Sequence, residues 1–210
     1  MSSLQADTGG QYSVAVGYQA LFTQNFTTVG SSSNNVGIGS KAGKNLTTGF
    51  RNTFVGSETG DAFTDADYNT ALGQAALTTD TLGSRSTAVG YAALQNQNFT
   101  TATDSYNVAI GFQAGINVST GRYNTIIGGG FTGDALTDAD YNLALGYGAL
   151  TSDTMGSRSV AVGHNTLASQ NFTTATISNN TAVGYVAGNA ITTGTSNVCL
   201  GANAGDEMTT

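Results

Sequence analysis

The chain has 210 residues, 39% of them apolar, enough for one or two ordinary domains. Charged residues make up only 9%, against ~25% in a typical globular domain, so the surface is polar through Thr, Ser, Asn and Gln. A net charge of −7 with six Lys and Arg argues against nucleic acid and anionic membrane as partners, and no apolar run approaches the ~18 residues of a membrane span.

The opening segment MSSLQADTGG has neither the basic nor the hydrophobic region of a signal peptide, so with Met1 as the genuine start Sec export is not expected. Residues 1–11 read as a partial repeat. Beyond them near copies of one phrase follow, of which NTALGQAAL, starting at Asn69, is typical. Aligned on its glycine, the copies fall at Gly17, Gly39, Gly56, Gly73, Gly90, Gly111, Gly128, Gly146, Gly163, Gly184 and Gly201. The spacings run 22, 17, 17, 17, 21, 17, 18, 17, 21 and 17 residues. Gly17, Gly90 and Gly163 are each 73 apart, so four short repeats make a longer unit. The chain divides into a first four-coil block at 12–84, a second at 85–157 and a third, incomplete one at 158–210, all within one continuous solenoid. QNFTT returns at Gln24, Gln97 and Gln170, and TDADYN at Thr64 and Thr137, as tandem duplication of the block requires. A period near twenty residues is the signature of stacked coils.

Before each glycine the residues alternate, as in Val14, Ala15, Val16 and Val108, Ala109, Ile110, and a period of two predicts a short strand. The outer pair is β-branched or Leu and the residue between is mostly Ala. We therefore expect the aliphatic pair to face a core and the alanine row to lie where another backbone approaches closely. Asn52, Asn69, Asn107, Asn124, Asn142, Asn180 and Asn197 precede strands, which suggests an Asn ladder bonded to the turn backbone. The GQAAL segments then read as turns or second short strands. No coil can bury its own apolar face, so each must stack on its neighbours. The fold expected is an all-β parallel β-roll, a β-solenoid of about eleven short coils.

Phrases such as NTALGQAAL, STAVGYAAL, NVAIGFQAG and NTAVGYVAG resemble the repeats of bacteriophage tail-fibre and related virion proteins, over residues 12–205. They are similar, more distantly, to the head repeats of trimeric autotransporter adhesins. The resemblance implies a left-handed β-roll, three chains side by side in a homotrimer, and a role in adhesion. It implies other fibre or baseplate proteins as partners, a glycan or protein of the host surface as target, and a place in the virion or, alternatively, on a bacterial surface. The alanine row fits packing about a trimer axis. Neither end carries a visible polar cap, which suggests a longer fibre or end-to-end stacking.

Candidate sites divide by chemistry. GIGSKAGKN, from Gly37, suggests a phosphate loop, but its spacing departs from that motif and Asn45 replaces the hydroxyl that would meet magnesium. The two acidic segments place Asp61, Asp65, Asp67 and Asn69, and again Asp134, Asp138, Asp140 and Asn142, where alternate oxygen ligands could grip calcium; solvated turn aspartates are the alternative. Phe26, Phe99 and Phe172, with Tyr106 and Tyr123 beside turns, could touch a receptor, although a phenylalanine recurring every 73 residues also suits packing under the longer loop. His164 occupies a slot otherwise held by Tyr18, Tyr91, Phe112, Tyr147 and Tyr185, which points to stacking instead of catalysis. Cys199 stands at an alanine position and reads as a small packed residue. No acid and base pair with distinct surroundings is evident, so an enzyme is not expected. An ice-binding solenoid is a further alternative, but Thr shares its strand positions with Val, which suggests that these threonines face the core.

Overall fold

The structure, a computed structural model, describes residues 2–210. Among them there is no helix: every element is a strand of two or three residues joined by turns. Two compact units are present, Met1–Tyr106 and Asn107–Thr210. Their boundary coincides with none of the block edges read from the repeats.

The first unit holds β1 (Gly10–Gln11), β2 (Val14–Val16), β3 (Ser31–Ser32), β4 (Val36–Ile38), β5 (Thr53–Val55), β6 (Thr70–Leu72), β7 (Gly83–Ser84), β8 (Thr87–Val89) and β9 (Thr103–Asp104). The second holds β10 (Val108–Ile110), β11 (Thr125–Ile127), β12 (Leu143–Leu145), β13 (Gly156–Ser157), β14 (Val160–Val162), β15 (Thr176–Ile177), β16 (Thr181–Val183) and β17 (Val198–Leu200). The three-residue strands form one parallel sheet of eleven, in the order β17-β16-β14-β12-β11-β10-β8-β6-β5-β4-β2. The protein is a β-solenoid of about eleven turns, each turn contributing one of these strands, as the repeat count predicts. Register is strict: Thr53, Phe54 and Val55 pair with Thr70, Ala71 and Leu72. The pairs β1-β3, β7-β9 and β13-β15 form small parallel sheets where the spacing lengthens.

Within each unit the marker glycines lie directly against one another, Gly17 on Gly39, Gly39 on Gly56 and Gly56 on Gly73 in the first, and Gly146 on Gly163 and Gly163 on Gly184 in the second. A Cβ on Gly56 would stand 2.6 Å from the carbonyl oxygen of Gly73, and φ there is +139°. No other residue meets both demands, which is why the glycines recur without exception.

The orientation of the strands is the reverse of the one expected. The middle residue, not the flanking pair, faces the interior: Phe54, Ala71 and Ala88, and in the second unit Ala109, Ile126, Ala144, Ala161 and Ala182, are fully buried. Their aliphatic and threonine neighbours are half-buried or exposed, as in the exposed Thr70 and Leu72 of β6. The alanine row is therefore spent on each chain's own core and cannot line an axis between chains. The threonines of the strands, read from sequence as core-facing, point outward with the aliphatics. The physical reason is that the turn opposite the strand supplies the bulk. Leu21, Leu77 and Leu94, four residues after their marker glycines, fill the interior of the first unit, leaving room for little more than alanine on the strand.

A volume rule governs these turns. Where the fourth residue after the marker is Leu, the seventh is polar: Leu21 with Gln24, Leu77 with Asp80, Leu94 with Gln97, Leu150 with Asp153, Leu167 with Gln170. Where the fourth is Gly, the seventh is large and apolar, as in Gly43 with Leu46, Gly60 with Phe63, Gly115 with Val118 and Gly188 with Ile191. Sterics explain the exchange. A Cβ on Gly60 would stand 2.6 Å from Phe54 and 3.0 Å from Phe63.

The expected asparagine ladder is present. Asn52 Oδ1 accepts from Asn69 N at 2.9 Å, Asn69 Oδ1 from Ser86 N at 2.9 Å, and Asn69 Nδ2 donates to Gly83 O at 2.9 Å. The second unit repeats it, with Asn124 Oδ1 accepting from Asn142 N and Asn142 Oδ1 from Ser159 N. Among the described residues no buried side-chain polar atom lacks a partner, as an interior this polar demands.

Candidate functional site

Three outer faces are distinct. The first is the outward side of the sheet. The residue before each marker glycine is aliphatic in every coil: Val16, Ile38, Val55, Leu72 and Val89 in the first unit, Ile110, Ile127, Leu145, Val162, Val183 and Leu200 in the second. Leu72 is 46% exposed and Val16 56%. The parallel column two residues earlier mixes Thr with Val and Leu, and neither column carries a charge. The slot after the marker extends this face with aromatics. His164 stacks between Tyr147, at 5.5 Å between ring centroids, and Tyr185, at 5.4 Å, as its slot predicted.

The second face is a corner that the sequence reading missed. Five residues before the markers stand Arg51, Tyr68, Arg85 and Tyr106 in the first unit, all exposed and all left-handed, with φ of 58°, 58°, 65° and 50°. The Arg85 guanidinium lies over the Tyr68 ring at 4.9 Å and over the Tyr106 ring at 5.7 Å, while Arg51 lies over Tyr68 at 5.4 Å. Arg51 Nη1 also donates to Tyr68 OH at 2.7 Å, and Arg85 pairs with Asp104 at 2.9 Å. In the second unit Tyr123 and Tyr141 stack at 4.8 Å, with Arg122 over the former and Arg158 over the latter. Both arginines of the first unit thus sit at its corner, and both arginines of the second lie over that unit's tyrosines. A left-handed backbone costs a bulky residue about 1 kcal/mol. Cation–π contacts of about 0.5–1 kcal/mol each offset that cost. The readable signal was the common phase of Arg51, Arg85 and Arg158, five residues before their markers, hidden because Tyr, Arg, Asn and Ser alternate in the column.

The third face holds the acidic segments. Asp65 accepts from Thr48 Oγ1 at 2.6 Å, Asp67 from Phe50 N at 2.9 Å, Asp138 from Thr120 Oγ1 at 2.6 Å, Asp140 from Arg122 N at 2.7 Å and Asp134 from Thr151 Oγ1 at 2.9 Å. Each carboxylate thus tethers a neighbouring coil. Asn69 and Asn142 are buried in the ladder, so their amide oxygens do not share a face with the aspartates. Burial, helped by the charge of Glu58, raises the Asp61 carboxyl above the usual aspartate range, and burial does the same for Asp67. Among the described residues no group of three His, Cys, Asp or Glu is arranged to hold a metal ion.

Of the phenylalanines, Phe99 and Phe172 are 6% exposed and pack under the longer loops, while Phe26 is half-buried. Tyr106 and Tyr123 are exposed and belong to the corner just described. Cys199 is buried in the alanine column.

Beneath the long loops a polar cluster repeats. Asp80 Oδ1 accepts from the N–H groups of Gly83 and Phe99, both at 3.0 Å, and Oδ2 accepts from Gln97 Nε2 at 2.5 Å. Ser86 and Ser105 complete it, their hydroxyls 2.5 Å apart. Asp153, Gln170, Ser159 and Ser178 repeat the cluster, and Asp7, Gln24, Ser13 and Ser33 form a more open version. Burial pushes the Asp80 carboxyl up despite these donors. At the less buried Asp7 burial also pushes upward, but Gln24 and the N–H groups of Gly10, Phe26 and Gly9 together hold the carboxyl below the usual value.

Compared with protein-family models, curated proteins and solved structures, the chain matches none.

Proposed function

We propose that the chain is a structural segment of a phage virion fibre, in which three copies pack side by side and the assembly supports or forms the surface that meets the host receptor. The observation that carries this reading is the uncharged aliphatic column that faces outward on every coil, exposed at Val16, Ile38, Leu72, Ile110, Leu145 and Leu200 and half-buried at the other five. Parallel sheets are almost always covered on both faces, and a contiguous exposed apolar surface marks an interaction site. A symmetric partner with the same face is the simplest cover. The repeat phrases add the resemblance to virion fibres. Fibre or baseplate proteins would then anchor the assembly, and a glycan or protein of the host surface would be its target. A bacterial adhesin head would use the same side-by-side packing.

Sedimentation in solution tests the reading. Three copies of the 21.2 kDa chain are expected, and Ile38→Lys together with Ile110→Lys should reduce the mass to one copy while the thermal transition persists. A wild-type monomer would overturn it. A second reading draws on the outward threonines Thr53, Thr70 and Thr87, which stand in register beside the aliphatics on three successive strands. Flat, uncharged rows of hydroxyl and methyl groups suit an ice surface, and a monomer that holds ice growth below the melting point would favour that role.

A further inference from the structure

We propose that the Arg and Tyr corner of the first unit is a binding site for an extended, uncharged oligosaccharide lying along the stack of coils. The inference rests on the adhesive reading above and gives it a ligand class and a location. The corner slot is left-handed in every coil, and Asn34, Asn179 and Ser196 fill it elsewhere with φ of 49°, 50° and 61°. Small polar residues therefore satisfy the fold. Arg51, Tyr68, Arg85 and Tyr106 add nothing that the turn requires, and they are exposed at the cost of a conformation that large side chains disfavour. Their side chains, not their backbones, explain why they are there.

The chemistry of the row selects the ligand. Two guanidinium groups supply fixed N–H donors, two phenol hydroxyls donate and accept, and Asp104, paired with Arg85, accepts. A sugar hydroxyl is donor and acceptor at once, so a row alternating both functions suits a polyol. Charge argues against a polyanion. Arg85 is already paired with Asp104 at 2.9 Å and the chain carries a net charge of −7, so no strong positive potential builds along the row. The coils repeat at about 4.8 Å along the stack, close to the length of one pyranose unit in an extended chain. One sugar per coil follows, four in all.

The test uses linear oligosaccharides of one to six units of glucose, mannose, galactose and N-acetylglucosamine, with heparin as the anionic control, immobilised as an array. Wild-type protein should bind at least one uncharged series, with affinity rising up to four units and then levelling, as expected for contacts added one coil at a time. The double variant Tyr68→Asn, Arg85→Asn, which copies the residue found at positions 34 and 179, should lose about tenfold or more of that affinity, with an unchanged thermal transition. Should the double variant unfold, Arg51→Asn alone provides the same comparison. Absence of binding to every uncharged series, binding confined to heparin, or unchanged binding by the variants would overturn the proposal. A trimer that binds no glycan would remove this site alone, whereas a monomer that binds would remove the assembly and leave the site.

Discussion

Two kinds of coil share one backbone path, and their difference shows how the repeat tolerates variation. In the glycine-cornered coils, such as the one carrying Gly60 and Phe63, the interior is apolar and Phe63 stacks on Phe54 at 5.4 Å. In the leucine-cornered coils, such as those carrying Leu77 and Leu94, the same depth holds Asp80 and Gln97, joined by a hydrogen bond. The second kind flanks each long loop. There the ladder residue is Ser13, Ser86 or Ser159, too short to act as an asparagine rung, and the loop brings a glutamine in its place: Asn35 Nδ2 donates to Gln24 Oε1 at 2.9 Å, and Asn180 Nδ2 to Gln170 Oε1 at 2.8 Å. An insertion of four or five residues is thus accepted because it carries its own polar partners.

The contrast can be broken most sharply at the polar coil. Asp80→Ala takes the acceptor from two backbone N–H groups and one of the two acceptors from Gln97 Nε2, which keeps only Ser86 Oγ, in a buried site, and should cost about 3–5 kcal/mol of unfolding free energy in urea. Asn69→Ala, in the ladder, strands Ser86 N and Gly83 O and should cost about 2 kcal/mol. For the apolar coil the volume rule makes a coupled prediction. Gly43→Leu alone overpacks against Phe54 and Leu21, at 2.7 and 2.8 Å from the new Cβ, and Leu46→Ala alone opens a cavity. The pair should be milder than their sum by about 1–2 kcal/mol, read from a double-mutant cycle.

The smallest effect is a difference in titration, followed by NMR of the carboxyl carbons. Asp80 should titrate above an unfolded-chain aspartate and Asp7 below it. Between its two pKa values Asp80 keeps, in the folded chain, a proton that the unfolded chain has released, so its contribution to stability falls as pH rises through that interval. For Asp7 the contribution is complete above the unfolded value and is lost as pH falls through the folded one. Equal titration of the two would remove burial as the cause of their difference.

Much of the fold was legible from periodicity. The eleven glycines, the strand before each, the asparagine ladder and the stacking of His164 all follow from residues in constant phase. Which side of the strand faces inward did not follow, because a period of two specifies two faces without saying which is buried. Treating Val and Ile as core residues is sound for a layered domain and fails here, where Leu21, Leu77 and Leu94 reach across a narrow coil. The exchange of Leu77 with Asp80 for Gly60 with Phe63 was written in the sequence and would have located the interior at the turn. The corner ladder was harder to see, since Arg51 and Tyr68 share neither charge nor shape and are related only by position.

Alternate residues of β6 provide the most direct measurement of the claim on which assembly depends. In chains lacking Cys199 through Cys199→Ala and held as monomers by Ile38→Lys together with Ile110→Lys, thiols introduced by Ala71→Cys and by Leu72→Cys would be labelled with a maleimide under native conditions. The account predicts that the thiol at 71 is protected until the chain unfolds and that the thiol at 72 reacts at the rate of an exposed cysteine. Protection at 72 with reaction at 71 would contradict it.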